Sequence, residues 1–302
     1  MNAKTDAQTD TGTAQTDGIQ GRASVRPVRS GDGEPHPAGV VPDAPTQSGR
    51  VTGTSDRVTR ILGALTLATA ALTAWLGLVV TPPDKVQGQL VRLIYVHPAV
   101  ATMCYAGFGL CALASLAYLW PRTRTRRWDR LAVASAEVGV VFCVLTLVTG
   151  SIWGRPTWGV WWTWDPRLTI TALLCAVFIG YLALRRTGGD PDALAKRSAV
   201  VAVVCVLLVP VDHEATTWWA SLHQTSTLLR ANPLIHGEQL YTMLLSFVAF
   251  GLGFAWLVLH RYRVEVLEDR YADEGFDAAI SERRAEGGLL AATASRSDGV
   301  AP

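Results

Sequence analysis

The chain has 302 residues and sets 27 Lys and Arg against 25 Asp and Glu, a formal net charge of +2. So small an excess excludes the clustered basic face of a nucleic-acid-binding protein, and charge matters here by position. Hydrophobic residues make up 49% of the chain, yet mean hydropathy is only +0.23, because long polar ends dilute several strongly apolar runs.

Residues 1–56 contain no Leu, Phe, Tyr or Trp and are rich in Thr, Asp, Gly, Pro and Ala, so they read as a disordered tail unable to bury enough apolar surface to fold alone. No charged head followed by an apolar core occurs near Met1, so this is not read as a signal peptide, and insertion is expected through the first true span. Apolar runs follow near 58–80, 93–120, 131–152, 168–184, 198–217 and 239–259. A span takes about 20 apolar residues of helix, so the runs predict an all-α integral membrane protein, a six-helix bundle in a domain of residues 57–262. In the fifth run the clean apolar stretch ends at Val211 and meets Asp212, His213 and Glu214, which puts its outer end at the membrane interface. The tail 263–302 is charged and reads as a solvated helix with a frayed end. No repeat supports a solenoid or propeller.

Lys and Arg in short loops favour the cytoplasmic side. Arg122, Arg124, Arg126, Arg127 and Arg130 lie between helices two and three, Arg185, Arg186, Lys196 and Arg197 between four and five, and Arg261 and Arg263 after six. The alternate loops hold only Lys85 and Arg92, Arg155 and Arg167, and Arg230. Both termini are therefore expected in the cytoplasm. All five cysteines fall inside apolar runs, with neither C-x-x-C nor C-x-x-C-H present, so they read as packing residues and argue against covalent haem attachment.

The outward segment 153–169 between helices three and four concentrates the chemistry. Trp153, Trp158, Trp161, Trp162 and Trp164 lie within twelve residues, with Gly159, Asp165 and Arg167 among them. An interfacial aromatic belt needs only scattered anchors; this density, broken by Gly and Pro, suits an apolar platform for a flat ligand such as a porphyrin. Porphyrin iron takes axial nitrogen ligands. Of six histidines, His36 lies in the tail and His260 at the cytoplasmic end of helix six. His97 is expected about one turn inside the outer end of helix two, and His223 follows a second Trp pair, Trp218 and Trp219. His213 and His236 compete for the second ligand position, the first within an Asp-His-Glu cluster that reads as an interfacial polar network, the second as a solvated cap of helix six. Arg155 or Arg167 would take a propionate, and Asp165 and Arg167 could instead pair with each other. No Walker A, G-x-G-x-x-G, H-E-x-x-H or G-x-S-x-G sequence is present, so no enzyme class is indicated and any energy input belongs to a partner.

The run Trp158-Gly159-Val-Trp161-Trp162-Thr-Trp164-Asp165-Pro-Arg167-Leu168-Thr169 resembles the WWD signature of haem-handling proteins of cytochrome c maturation. Together with Trp218-Trp219-x-x-Leu222-His223-Gln224 it is most similar to the CcmC branch, over roughly residues 57–260. The resemblance implies haem b, held non-covalently and transiently at the outer face of a bacterial inner membrane. It implies His97 and His223 as the iron ligands and the WWD loop as platform. It also implies delivery to a CcmE-type haem chaperone beside the subunits of an ABC transporter. A cytochrome c synthetase-type factor shares the loop but normally has more spans. A b-type membrane cytochrome would show facing histidine pairs within its spans, where only His97 is expected, and a plain permease subunit would bind no pigment.

Overall fold

A computed structural model describes residues 54–224 and 235–298, with side chains to residue 288, all within one compact unit, Gly49–Pro302. The tail expectation for residues 1–53, including His36, and the placement of Arg230 lie outside the described residues. Regular structure among the described residues is helical. The elements are α1 (Arg57–Trp75, continued by a π-turn Leu76–Val80), a 3-10 segment (Gln89–Tyr95), α2 (His97–Leu119), α3 (Arg126–Trp158), α4 (Pro166–Arg185), α5 (Pro191–Cys205), α6 (Leu208–Trp218) and α7 (Gly237–Asp298). Among the described residues six helical segments are long and apolar enough to cross a membrane, Arg57–Val80, Gln89–Leu119, Arg126–Trp158, Pro166–Arg185, Pro191–Trp218 and Gly237–Gly288, one for each expected run. The chain is a multi-pass membrane protein.

Local sequence sets the helix starts. The Asp56 carboxylate accepts from the Thr59 backbone N–H while the Thr59 hydroxyl accepts from that of Asp56, a reciprocal cap on α1. Asp165 and Asp190 cap α4 and α5, each followed by a proline at the first helical position, where its missing N–H costs nothing. Pro210 separates α5 from α6 within the fifth span, since it has no N–H for the Val206 carbonyl.

The centre of the bundle is the contact of α2 with α3 and α4. Phe108 and Phe178 stack at 3.8 Å between ring centroids. Gly107 lies so close to α3 that a Cβ there would meet the Gly139 Cα at 2.6 Å, the small-residue contact that lets membrane helices approach backbone to backbone. Gly107→Leu is expected to destabilise the bundle by about 1–3 kcal/mol through overpacking; an unchanged thermal-unfolding midpoint in detergent would contradict this packing. Four cysteines, Cys104, Cys111, Cys143 and Cys175, are buried here and unpaired, and Cys205 is half-buried, in keeping with a packing role.

The structure sets the bounds of three segments, one of them against expectation. His97 lies inside the second helical span, Gln89–Leu119, as expected, and is the first residue of α2 itself, because the chain ahead of it tightens into the 3-10 segment and Pro98 suits an opening turn. The Trp-rich stretch is not all loop: α3 continues through Trp158, and the irregular part shrinks to 159–165. The helix of the sixth span continues past 262 into the charged tail, which was expected to be helical, as one element to Asp298, with no proline to break it and with pairs such as Arg261–Glu265 at 2.6 Å along it.

Ion pairs gather at the end of the bundle opposite His97. Arg185 engages Asp129 through two 2.7 Å bonds, Arg130 holds Asp269 at 2.7 Å, Arg261 bonds Glu137, and Arg263 holds Asp56 at 2.6 Å. The first ties α4 to α3, and the other three tie the extended α7 to α3 and to the cap of α1.

Candidate functional site

The site is assembled at the ends of α2, α3 and α4 and on the segment after α6. Its first side chain is His97, whose ring reaches α3 where a Cβ at Gly150 would sit 3.1 Å from its Cε1. Only glycine leaves that space. The His97 Nδ1 lies 2.9 Å from the Thr149 Oγ1, and that hydroxyl already donates to the Leu145 carbonyl at 2.7 Å. With its hydrogen spent, Thr149 accepts, so His97 carries its proton on Nδ1 and leaves Nε2 with a free lone pair.

One turn further along α3, Gly154 admits the ring of Trp158, which would approach a Cβ there to 2.8 Å. Trp158 in turn stands edge-on to His223, centroids 4.7 Å apart, and Trp153 stands edge-on to His97 at 5.9 Å. Trp153 Nε1 also donates to the Gln87 Oε1 at 3.1 Å, fixing it to the loop before the second span. Both rings pack edge-on against the histidines. Gly159 ends α3 with φ of 81°, a left-handed turn suited to glycine, and its N–H returns to the Arg155 carbonyl. Nothing stands near a Cβ there, so its role is to turn the chain.

Asp165 is the hub. Nearly buried at 6% exposure, its carboxylate caps α4 through the Arg167 N–H at 3.0 Å. It also accepts from the Leu222 N–H at 2.7 Å, from the Ser221 hydroxyl at 2.8 Å and from the His223 Nδ1 at 3.2 Å. Burial raises the Asp165 carboxyl, but those donors and the nearby imidazole outweigh it and hold the group below its ordinary range, hence ionised. An ionised carboxylate only accepts, so His223 donates from Nδ1 and, like His97, keeps the Nε2 lone pair without a partner among the described residues. Burial pushes the His223 imidazole down, with Arg167 adding to the effect and Asp165 opposing it, so the ring is neutral at pH 7.

Arg167 is half-buried and close enough to both histidines for its charge to bear on each. Among the described residues no ion pair engages its guanidinium, so the alternative in which it pairs with Asp165 does not occur. Arg155, by contrast, is committed to the Gly159 carbonyl at 2.8 Å. The remaining tryptophans are largely exposed: Trp161, Trp162 and Trp164 on the 159–165 stretch, and Trp218 with Trp219 at the end of α6. Trp162 meets Trp164 edge-on at 5.7 Å, and Trp218 meets Trp219 at 5.8 Å.

The competing histidines show neither the burial nor the Nδ1 partner of His97 and His223 among the described residues. His213 and His236 are exposed, the latter immediately before α7. The Asp-His-Glu cluster is not simply interfacial, because Asp212 is fully buried. It accepts from the Tyr105 hydroxyl at 2.7 Å and the Thr171 hydroxyl at 3.0 Å, fastening α6 to α2 and α4 ahead of the Trp218–His223 segment. Sequence reasoning also passed over Thr149, Gly150, Gly154 and Ser221. Two glycines one turn apart just before the tryptophans were the available signal.

A family described as Heme exporter protein C matches residues 44–276. Among curated relatives, a protein of that name from Haemophilus influenzae is 34% identical over 195 residues, 64% of this chain and 78% of the relative. One from Bradyrhizobium diazoefficiens is 35% identical over 216 residues, 70% of this chain and 81% of the relative. One from Paracoccus denitrificans is 34% identical over 198 residues, covering 64% and 80%. The chain belongs to the CcmC family, Heme exporter protein C.

Proposed function

We propose that this chain binds haem at the outer face of the bacterial cytoplasmic membrane and presents it for cytochrome c maturation. In this reading it hands haem to a CcmE-type chaperone and works beside the subunits of an ABC transporter. The observation that carries the reading is the matched pair His97 and His223, each tied through Nδ1 and each with no partner on Nε2 among the described residues. Among the described residues no cluster of three or more His, Cys, Asp or Glu is arranged around a metal ion. A two-imidazole site therefore suits an iron that brings its own four equatorial nitrogens, which is haem.

The parts divide the work. His97 and His223 offer axial nitrogens from different segments. Arg167 supplies an uncommitted guanidinium for a propionate carboxylate. The exposed Trp161, Trp162, Trp164, Trp218 and Trp219 give the apolar porphyrin edge a place to lie, and Trp153 and Trp158 keep the imidazoles oriented. Binding without a covalent link agrees with transfer onward, since release then breaks only coordination and surface contacts. The cargo in this reading is haem b. The concentration of Arg at the opposite end of the bundle supports an outward site with both termini in the cytoplasm.

The test is chaperone loading in cells that make haem but lack the native protein. Supplying this chain should restore haem-loaded chaperone, and His223→Ala should bring it back to background. Equal loading with the wild type and with His223→Ala would overturn the delivery reading.

A further inference from the structure

A cavity of about 480 Å³ lies between α1, the 3-10 segment, α3 and α7, lined by none of the histidines or tryptophans of the proposed haem site. Its wall is apolar, with Ala70, Ala74, Leu78, Phe250 and Leu257 among the lining residues, and it is half open to the outer surface of the bundle. Three side chains in this wall are anomalous. The Arg92 Nε, the Tyr95 hydroxyl and the Trp256 Nε1 are buried without a hydrogen-bond partner among the described residues, and Tyr95 is only 4% exposed. Orphaned polar groups within a membrane bundle are costly, and an ionisable one there points to a ligand.

We infer that this cavity is a binding site for an anionic phospholipid, its phosphate on Arg92 and Tyr95 and one acyl chain lying along α1 and α7 towards Trp256. The polar groups decide the head. The Arg92 Nε and the Tyr95 hydroxyl can both donate from neighbouring positions, and Arg92 adds a permanent positive charge, so the complement at that end is an anion rich in acceptors. The Thr66 and Thr73 hydroxyls are turned back onto their own helix at 2.8 Å each, so neither competes for it. The shape decides the tail. From Thr66 to Leu78 the wall follows α1 for about 18 Å, somewhat more than half of the roughly 30 Å hydrocarbon core. Arg92 and Tyr95 sit at the same end of the bundle as His97, which places the head in the leaflet that borders the haem site.

Other occupants fit less well. An apolar partner helix presents no anion to Arg92, and a neutral quinone brings acceptors but no counter-charge. Haem would find no His, Cys or Met in the wall. The inference is independent of haem binding: it needs only the orphaned donors and the apolar groove.

The test uses the full-length protein in detergent, with native mass spectrometry to count retained lipid. The probes are phosphatidylglycerol, phosphatidylcholine and inorganic phosphate. Phosphatidylglycerol should be retained in preference to phosphatidylcholine, and inorganic phosphate should not bind, since it lacks the tail. Removing the charge in Arg92→Gln should weaken phosphatidylglycerol retention about tenfold, in line with loss of a charge-assisted hydrogen bond. Tyr95→Phe should weaken it less, and Ala74→Phe, which fills the groove, should abolish it. Lys85→Gln, at an exposed position in the neighbouring loop, should leave it unchanged. Tyr95→Phe and Ala74→Phe keep Arg92 in place, so the outcome does not hang on one variant folding. No retained phosphatidylglycerol, equal retention of the two lipids, equal loss in Lys85→Gln, or Arg92-dependent retention of added haemin instead would each overturn the assignment.

Discussion

Replacing Asp165 with alanine is expected to weaken haem binding about 10–100-fold, the cost of losing a partner that orients a metal-bound histidine. The effect is large because one carboxylate does several jobs at once. It caps α4, holds the Ser221 hydroxyl and the Leu222 N–H, and takes the Nδ1 proton of His223. Without it the segment bearing His223 loses three anchors, and the imidazole is free to put its proton on either nitrogen. Asp165→Asn separates these contributions. The amide still offers an oxygen to the Leu222 N–H but carries no charge to hold the His223 tautomer, so its loss should be intermediate. Haem titration followed by absorbance checks both variants; wild-type affinity in Asp165→Ala would mean that His223 needs no partner to act.

Exchanging Arg167 for glutamine should lower haem affinity about tenfold, as expected for one charge-assisted contact to a propionate. Arg155→Gln should leave affinity close to that of the wild type. The two arginines look equivalent in the sequence, flanking the same tryptophans, and the structure separates them by what they already hold. The Arg155 guanidinium bonds the Gly159 carbonyl at the end of α3, and taking up a carboxylate would cost that bond. Arg167 is close enough to both histidines for its charge to bear on each and has no ion pair among the described residues. Titration with haem dimethyl ester, which has no free carboxylates, should erase the difference between wild type and Arg167→Gln. Equal losses in the two variants, or a difference that survives esterification, would remove Arg167 from the propionate role.

Much of the fold was legible because membrane spans announce themselves as apolar runs, and each of the six runs corresponds to a helix. What stayed hidden were the places where helix continuity ignores hydropathy. Nothing in Trp153-Gly-Arg-Pro156 forced a loop, since a proline late in α3 removes only one hydrogen bond. The charged stretch beyond 262, by contrast, was legible as a helix from its interspersed Arg and Glu, and the structure makes it one element with the sixth span. At the site, residue types rich in chemistry stood out in the sequence while the small residues that place them did not. Thr149 and Gly150 set the tautomer and depth of His97, and Gly154 seats Trp158 against His223, yet none of the three carries a chemical signature of its own. Asp212 was misread in the other direction. Its neighbours His213 and Glu214 made it look interfacial, but helical geometry turns it alone into the bundle, onto Tyr105 and Thr171.

The measurement that bears most directly on the two-histidine account is the visible absorption spectrum of the detergent-purified protein loaded with haemin, wild type beside His97→Ala and His223→Ala. Two free Nε2 atoms predict a six-coordinate, low-spin Soret and visible spectrum in the wild type, with a weakened, high-spin spectrum in each single variant and little bound haem in the double variant. A wild type that stays colourless with haemin present, or spectra that neither substitution alters, would contradict it.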